Sequence, residues 1–238
     1  DLDQAELTIL GALANDPKHP KLHILAGRIA LERGQLERSY KRLSLAIKYD
    51  EKMPEAYYFQ GIVLQRWKQF PAAHKAYAKA FELQPDSVPF LLAMCEMMVE
   101  IDQREQAIAL LNEKTSYFPQ NAGVRLGLAS LYRMSGDQEK AVEFYRQASL
   151  LRPDDLSVKE DLAASRMASG QFEQAVKDYE YLATKVEADR KEELSHALAD
   201  AYLAAGRFDD ARQHYIDLVQ RNRSDVESWI HLAEISLA

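Results

Sequence analysis

The sequence predicts an all-α protein built as a solenoid of antiparallel helix pairs. A set of small and large residues recurs along the chain at a constant interval. Gly27 and Gly61, for example, are separated by one such interval. Each half of the recurring segment carries apolar residues at i, i+3, i+4 and i+7, which is the pattern of an amphipathic helix. No segment alternates apolar and polar residues with a period of two, so we expect no strands. Helix pairs of this kind bury their apolar faces only when neighbouring pairs stack.

The clearest copy of the repeat spans residues 54–87 and reads PEAYYFQGIVLQRWKQFPAAHKAYAKAFELQPDS. Gly61 marks the place where its two helices cross closely, because only a small residue lets two helices approach there. Ala73 and Tyr77 form the matching stripe on the second helix, and Pro85 ends that helix. We therefore predict that Gly61→Leu would overpack this crossing.

Steps of this constant length find equivalent residues on both sides of the clearest copy. The crossing position recurs as Gly27, Gly61, Cys95, Ala129 and Ala163. The facing position on the second helix recurs as Ser39, Ala73, Ala107, Ala141 and Ala175. The turn between the two helices falls at Gly34, Lys68, Asp102, Gly136 and Gly170. One register kept over so many copies indicates an internal repeat.

The register predicts one continuous solenoid domain. Residues 1–19 form the second helix of an incomplete repeat, and residues 226–238 form the first helix of another. The complete repeats are 20–53, 54–87, 88–121, 122–155, 156–191 and 192–225. Because the chain opens on a second helix and closes on a first helix, we expect it to come from a longer array.

The repeat resembles the tetratricopeptide repeat, whose pattern is W-x2-L-G-x2-Y…A-x3-F…P. In one copy the pattern is occupied by Tyr57, Gly61, Ala73, Tyr77, Ala80 and Pro85. In another it is occupied by Leu128, Ala129, Tyr132, Ala141, Tyr145, Ala148 and Pro153. The resemblance covers essentially the whole chain. It implies a right-handed superhelix whose first helices line a concave groove, which in this family binds peptides, partner helices or whole proteins.

The resemblance implies that the second, fifth, ninth and twelfth residues of each repeat point towards the groove. In the first four complete repeats these include Ile24, Arg28, Tyr58, Ile62, Leu92, Glu96, Leu126, Ser130 and Arg133. Their apolar members would suit the apolar face of an amphipathic helix or an extended segment. The alternative is that some of them pack against the next helix.

Later in the chain the same positions form an acidic stripe. Its residues are Glu160, Glu193, His196, Asp200, Glu227 and Glu234. Residues 1–119 carry 15 basic and 16 acidic residues, whereas residues 120–238 carry 15 basic and 21 acidic residues. The stripe would favour a partner with a basic segment. The alternative is an ordinary solvated face.

The sequence lacks the short motifs of common catalytic and nucleotide sites. It contains no G-x-x-x-x-G-K-[ST] loop and no H-E-x-x-H. His196 has Glu193 and Asp200 at helical spacing, but a solvated pair explains them better than a metal site does. Cys95 falls at a crossing position and should be a buried small residue. We therefore predict no enzyme activity, no cofactor and no metal.

Charge and hydropathy narrow the classes of partner. The net charge of −7 argues against nucleic acid. No apolar run approaches the roughly 18 residues that span a bilayer, so we expect no membrane insertion and a soluble protein, cytoplasmic or periplasmic.

The leading hypothesis is a protein–protein interaction scaffold that holds a peptide, helix or protein in the concave groove. One alternative is a regulatory or assembly region of a larger enzyme or of a bacterial exopolysaccharide or secretion machine. Another alternative is a homo-oligomer formed through exposed ends.

Overall fold

The computed structural model describes residues 2–187 and 190–237, and these residues form helices joined by short turns. In chain order the helices are α1 (Leu2–Asn15), α2 (Pro20–Glu32), α3 (Leu36–Tyr49), α4 (Pro54–Arg66), α5 (Phe70–Leu83), α6 (Val88–Glu100), α7 (Arg104–Lys114), α8 (Ala122–Met134), α9 (Gln138–Leu151), α10 (Leu156–Ala168), α11 (Phe172–Ala183), α12 (Lys191–Ala204), α13 (Phe208–Arg221) and α14 (Val226–Leu237). No strand occurs within these described ranges. The predicted all-α repeat array is confirmed.

Tertiary contacts group the chain into an N-terminal unit, residues 1–114, and a C-terminal unit, residues 115–238. In the N-terminal unit α2 packs against α3, α4 against α5, and α6 against α7. In the C-terminal unit α8 packs against α9, α10 against α11, and α12 against α13. Helix α14 also packs against α13. The boundary falls inside the predicted repeat 88–121, where α7 ends at Lys114. The single continuous domain stays a prediction.

The first helices of successive pairs begin at a regular interval. Five of them start with the same spacing from one to the next, at Pro20, Pro54, Val88, Ala122 and Leu156. Proline is well placed at a helix start, because its fixed φ suits the helix and its missing N–H would have no partner there. The interval places equivalent side chains at equivalent positions in each pair.

Each turn between the helices of a pair contains one residue in the left-handed backbone region. These residues are Gly34, Lys68, Asp102, Gly136, Gly170 and Gly206, with φ between 57° and 80°. At the first of these turns the N–H of Gln35 donates to the carbonyl of Ala30 at 2.8 Å, which closes the end of α2. Lys68 and Asp102 adopt this conformation at some cost in strain, because they carry a Cβ atom.

The two helices of a pair cross closely at small residues. The hydroxyl of Ser39 donates to the carbonyl of Gly27 at 2.8 Å, which joins α2 to α3. A Cβ atom added at Gly61 would lie 2.6 Å from Cε1 of Tyr77 on α5. Where alanine stands at the crossing, as at Ala129 and Ala163, it is fully buried. The two helices of a pair can therefore approach closely because a small residue stands at the crossing position.

Candidate functional site

An open depression of about 300 Å³ lies between α2 and α4 in the N-terminal unit. It is lined by Lys21, Ile24, Leu25, Arg28, Met53, Glu55 and Phe59. Its apolar floor includes Ile24, which is itself buried in a cluster with Ala46 and Ala56. Leu25 is 41% exposed, although it is a large apolar side chain on a helix. The depression therefore offers apolar surface to a partner.

The charged rim of this depression can add selectivity to the apolar floor. The Cζ atom of Arg28 lies 4.8 Å from the centroid of the Phe59 ring, so the guanidinium rests on the aromatic face. Arg28 is exposed, and Lys21 and Glu55 complete the rim. A guanidinium held in this way can still donate two parallel hydrogen bonds to a carboxylate.

A second open depression of about 230 Å³ lies between α1 and α2. It is lined by Leu2, Ala5, Ile9, Leu25, Arg28, Ile29 and Glu32. Leu25 and Arg28 line both depressions, so the exposed Leu25 forms part of the surface between them. Leu25 is the apolar side chain that the two depressions have in common.

Tyr58 and Ile62 are held by packing rather than projecting freely into a groove. The ring centroid of Tyr58 lies 5.4 Å from that of Phe59, 5.6 Å from that of Tyr77 and 4.8 Å from that of Phe90. Ile62 is half-buried against the cluster formed by Leu31, Leu43 and Val63. Substituting either residue would therefore disturb the packing of the helices as well as any contact with a partner.

Glu96 is exposed and takes part in a short chain of hydrogen bonds. Leu92, on the same helix, is half-buried. The amide of Gln65 donates to Oε1 of Glu96 at 2.9 Å, and the hydroxyl of Tyr77 donates to Oε1 of Gln65 at 2.7 Å. Burial, followed by the nearby Tyr58 and Glu96, raises the pKa of Tyr77 above its usual range. The hydroxyl therefore stays a donor.

The C-terminal unit holds three further residues that were predicted to line the groove. Leu126 is half-buried and packs against the cluster that contains Ala129. Ser130 is half-buried, and Arg133 is exposed. Nη1 of Arg133 lies 3.8 Å from Oδ1 of Asp161 on α10. Burial raises the pKa of Asp161, and Arg133 opposes that effect.

Three acids of the predicted acidic stripe already have partners within the C-terminal unit. Oε2 of Glu160 lies 2.7 Å from Nη2 of Arg190. Asp200 accepts a 2.5 Å hydrogen bond from the hydroxyl of Tyr215. Oε2 of Glu234 lies 3.2 Å from Nδ1 of His231. Each of these carboxylates would have to give up or share this contact to bind a partner.

The two other acids of the stripe, Glu193 on α12 and Glu227 on α14, are exposed to solvent. They are the acids of the stripe best placed to meet a basic segment.

His196 links α12 to the start of α14. Its Nε2 lies 2.8 Å from Oδ2 of Asp225, and its Nδ1 lies 3.0 Å from the carbonyl of Glu192. Asp225 also accepts a 2.6 Å hydrogen bond from the hydroxyl of Ser228. The side-chain partner of His196 is thus a residue 29 positions later, rather than the Glu193 or Asp200 suggested by helical spacing.

Stability is expected to fall as pH rises through the pKa of His196. Partial burial opposes the charged imidazolium, but the Glu192 carbonyl and the Asp225 carboxylate outweigh it and raise the pKa of His196 above its usual value of about 6.5. The stabilisation is then complete below about pH 6.5 and is lost as pH rises through the higher folded pKa. Urea unfolding of the native chain and of His196→Gln across this range measures the difference.

The Asp225→Asn variant is the matched test of the same contact. It should flatten the part of the pH dependence that Asp225 contributes and leave the part that the Glu192 carbonyl contributes, and the double variant should have the pH dependence of His196→Gln. A slope that persists in both single variants would assign it to other groups.

Three residues that were not predicted to contact a partner line the depression beside Ile24 and Arg28, which were. Leu25, Met53 and Phe59 form much of the floor of the depression between α2 and α4, but none was predicted to contact a partner. Phe59 occupies the same position in its repeat as Leu25 does. The sequence signal for these residues was an apolar residue at that position, on the exposed stretch of a first helix.

The described part of the chain offers no arrangement of side chains for metal binding or for thiol chemistry. Within residues 2–187 and 190–237 we find no group of three or more His, Cys, Asp or Glu side chains placed to hold a metal ion. Cys95 is buried, and burial raises the pKa of its thiol to about 12, so it is not a thiolate at neutral pH. None of the helices described combines the length and apolarity that a membrane crossing needs.

Comparison with known protein families matches two segments of this chain to one kind of repeat. Residues 104–165 and residues 192–235 each match a family model described as tetratricopeptide repeat. The chain carries tetratricopeptide repeats. A comparison with curated protein sequences gave no match.

Solved structures of tetratricopeptide-repeat proteins share this fold at low sequence identity. A tetratricopeptide repeat protein from Parabacteroides merdae is 16% identical with a TM-score of 0.67, over 100% of this chain and 93% of that one. PilF from Pseudomonas aeruginosa is 20% identical with a TM-score of 0.67, over 90% of this chain and 97% of that one. YrrB, described as having an unusual peptide-binding site, is 14% identical with a TM-score of 0.56, over 74% of this chain and 91% of that one.

Proposed function

We propose that this chain is a non-catalytic scaffold that binds a partner protein through the surface of α2. The observation that carries the proposal is the depression between α2 and α4, where the exposed Leu25 and the ring-supported Arg28 lie together. An apolar side chain of the partner would enter the depression, and an acidic group beside it would pair with Arg28. The description of YrrB as a peptide-binding protein supports a peptide as one form of the partner.

The fifteen residues that the resemblance implied do not contribute equally to this proposal. Ile24 and Arg28 line the depression directly. Tyr58 and Ile62 act through packing, because their side chains contact neighbouring helices. In the C-terminal unit the exposed Glu193 and Glu227 would favour a basic segment.

Affinity capture with the 238-residue chain tests the proposal directly. The binding variant is Leu25→Asp with Arg28→Ala, since both side chains are exposed and their loss should leave the helices intact. The matched control is Leu150→Asp, which places the same charge at another exposed leucine, 69% exposed on α9. A second arm reverses Glu193 and Glu227 to lysine.

The native chain and Leu150→Asp should retain the same partner. The Leu25 and Arg28 double variant should recover much less of it, and its Kd for the identified partner should be at least about tenfold higher, which corresponds to a loss of roughly 1.4 kcal/mol. If the double variant keeps the partner and the lysine variant loses it, the acidic residues of the C-terminal unit are the binding surface instead. Equal recovery by all variants would reject both surfaces.

A further inference from the structure

Helices α3, α4 and α5 surround a further open depression, of about 350 Å³, in the N-terminal unit. Helix α4 packs against both α3 and α5, and all three helices contribute to the lining. The lining comes entirely from residues 40–79, away from both ends of the chain. It includes Tyr40 of α3, Tyr57 and Leu64 of α4, and Ala72, Lys75 and Lys79 of α5.

This depression and the one between α2 and α4 lie on different faces of α4. Glu55 and Phe59 line the depression beside α2, whereas Gln60 and Leu64 line the depression beside α5. In a helix with 3.6 residues per turn, the second pair of residues lies about 140° around the axis from the first pair. A segment bound in one depression therefore leaves the other open.

The lining between α3 and α4 is held in place by packing and by a hydrogen bond. The ring centroid of Tyr40 lies 5.3 Å from that of Trp67, and both side chains pack against the cluster that contains Leu43. The amide of Gln60 donates to the hydroxyl of Ser44 at 3.2 Å, which ties α4 to α3. Because these side chains are already ordered, they would lose little freedom when a partner binds.

Two lysines one helical turn apart on α5 give the depression a positive edge. Lys75 is exposed, and it makes no ion pair or side-chain hydrogen bond with another described residue. Nζ of Lys79 lies 2.8 Å from Oε1 of Glu82, in a pair whose side chains are 40% and 67% exposed. An exposed pair of this kind contributes little to stability, so Lys79 can turn to a carboxylate of a partner.

The lysine pair is particular to this repeat. A feature that one repeat has and the others lack is not required by the stacking that all repeats share. None of the equivalent pairs in the five other complete repeats contains two basic residues. These pairs are Lys41 and Leu45, Ala109 and Glu113, Glu143 and Gln147, Lys177 and Tyr181, and Gln213 and Asp217.

The two helices beside the depression are basic, although the protein as a whole is acidic. Helices α3 and α5 together carry six basic and two acidic side chains, in a chain whose net charge is −7. Helices α11 and α13, which are second helices of later pairs, carry three basic and six acidic side chains. The positive charge is therefore concentrated around this depression, where it would attract an acidic segment.

We propose that this depression is a second docking site, which binds an acidic segment of a partner protein. One apolar side chain of the segment would enter the depression beside Tyr57 and Ala72, and carboxylates on either side of it would pair with Lys75 and Lys79. Because the site uses a different face of α4, the chain would hold this segment and the partner at Leu25 and Arg28 at the same time.

A labelled synthetic peptide, Glu-Glu-Phe-Glu-Glu, is the probe for this site. Titration with the 238-residue chain, followed by fluorescence anisotropy, should show saturable binding. Lys75→Glu combined with Lys79→Glu should raise the Kd at least about tenfold, because two attractive contacts become repulsive. Replacing the phenylalanine of the peptide by glycine should also weaken binding, because the depression then stays empty.

Two other variants show whether binding is local to this depression. Lys177→Glu with Lys185→Glu makes the same substitutions at two exposed lysines of the C-terminal unit, so it changes the net charge equally. It should keep the Kd within about twofold of the native value, since only the overall field changes. The Leu25→Asp and Arg28→Ala variant should bind the probe like the native chain. Circular dichroism shows whether each variant keeps its helices.

The proposal is overturned if the native chain does not bind the probe saturably, or if the C-terminal lysine variant loses as much affinity as the Lys75 and Lys79 variant. It is also overturned if the Leu25 and Arg28 variant loses the probe, because the peptide then binds the depression between α2 and α4. Vesicles of phosphatidylcholine and phosphatidylserine offer a different anionic surface. Vesicle binding that needs Lys75 and Lys79, without peptide binding, would replace the acidic segment by a membrane surface.

Discussion

Replacing Gly61 by leucine is expected to lower the free energy of unfolding by about 1–3 kcal/mol, because the new side chain overpacks the crossing of α4 and α5. A Cβ atom alone would lie 2.6 Å from Cε1 and 2.7 Å from Cδ1 of Tyr77. The ring cannot easily withdraw, since Tyr77 is almost fully buried and its hydroxyl donates to Gln65. Urea unfolding followed by circular dichroism measures the change.

Gly11 provides the matched control for this substitution. It also lies inside a helix, but a Cβ atom built there meets no heavy atom within 4 Å apart from the nearby backbone of its own helix. Gly11→Leu should be neutral or stabilising by up to about 1 kcal/mol, because glycine is a poor helix former. A Gly61→Leu chain as stable as the native one would show that Tyr77 can leave the crossing at no cost.

The close crossing at Gly61 could be predicted because it depends on residues at fixed spacing. A small residue returns at Gly27 and Ala129, and the partner position on the second helix returns in step with it. Repetition of this kind reports local helix packing, which each repeat must solve in the same way. The same logic found the turn at Lys68, although only the structure shows that its backbone is left-handed.

The candidate site was less predictable because its contacts depend on which side chains turn towards each other. Tyr58 has a groove position by register, but it is surrounded by the rings of Phe59, Tyr77 and Phe90. His196 has acids at helical spacing, yet its partner comes from another part of the chain. The repeat register gives the position of a residue on its helix, whereas the side chains of the neighbouring helices determine which contacts it makes.

Arg166 and Asp178 form the ion pair whose loss should cost most in the C-terminal unit. The pair joins Nη1 of Arg166 on α10 to Oδ2 of Asp178 on α11, with side chains only 18% and 23% exposed. Burial raises the pKa of Asp178, and Arg166 acts against that rise. The arginine therefore keeps a poorly solvated carboxylate ionised within the helix pair.

Arg166→Met should lower the free energy of unfolding at neutral pH by about 2–3 kcal/mol, somewhat less than for a fully buried pair. The charge of Asp178 would then lack its partner, and the pKa of its carboxyl would rise further. The deficit should shrink as pH falls through that pKa, because the protonated carboxyl no longer needs a counter-charge. Unfolding curves of the variant and the native chain across acidic and neutral pH measure both effects.

Two comparisons make this prediction specific to the buried pair. Asp178→Asn in the Arg166→Met chain should recover part of the lost stability, and the double-mutant cycle gives the coupling between the two residues. Arg146→Met removes the partner of Glu143 in a pair whose side chains are about half exposed, and its effect should be much smaller because water screens that pair. Equal effects of Arg146→Met and Arg166→Met would mean that the Asp178 carboxylate is well solvated without its arginine.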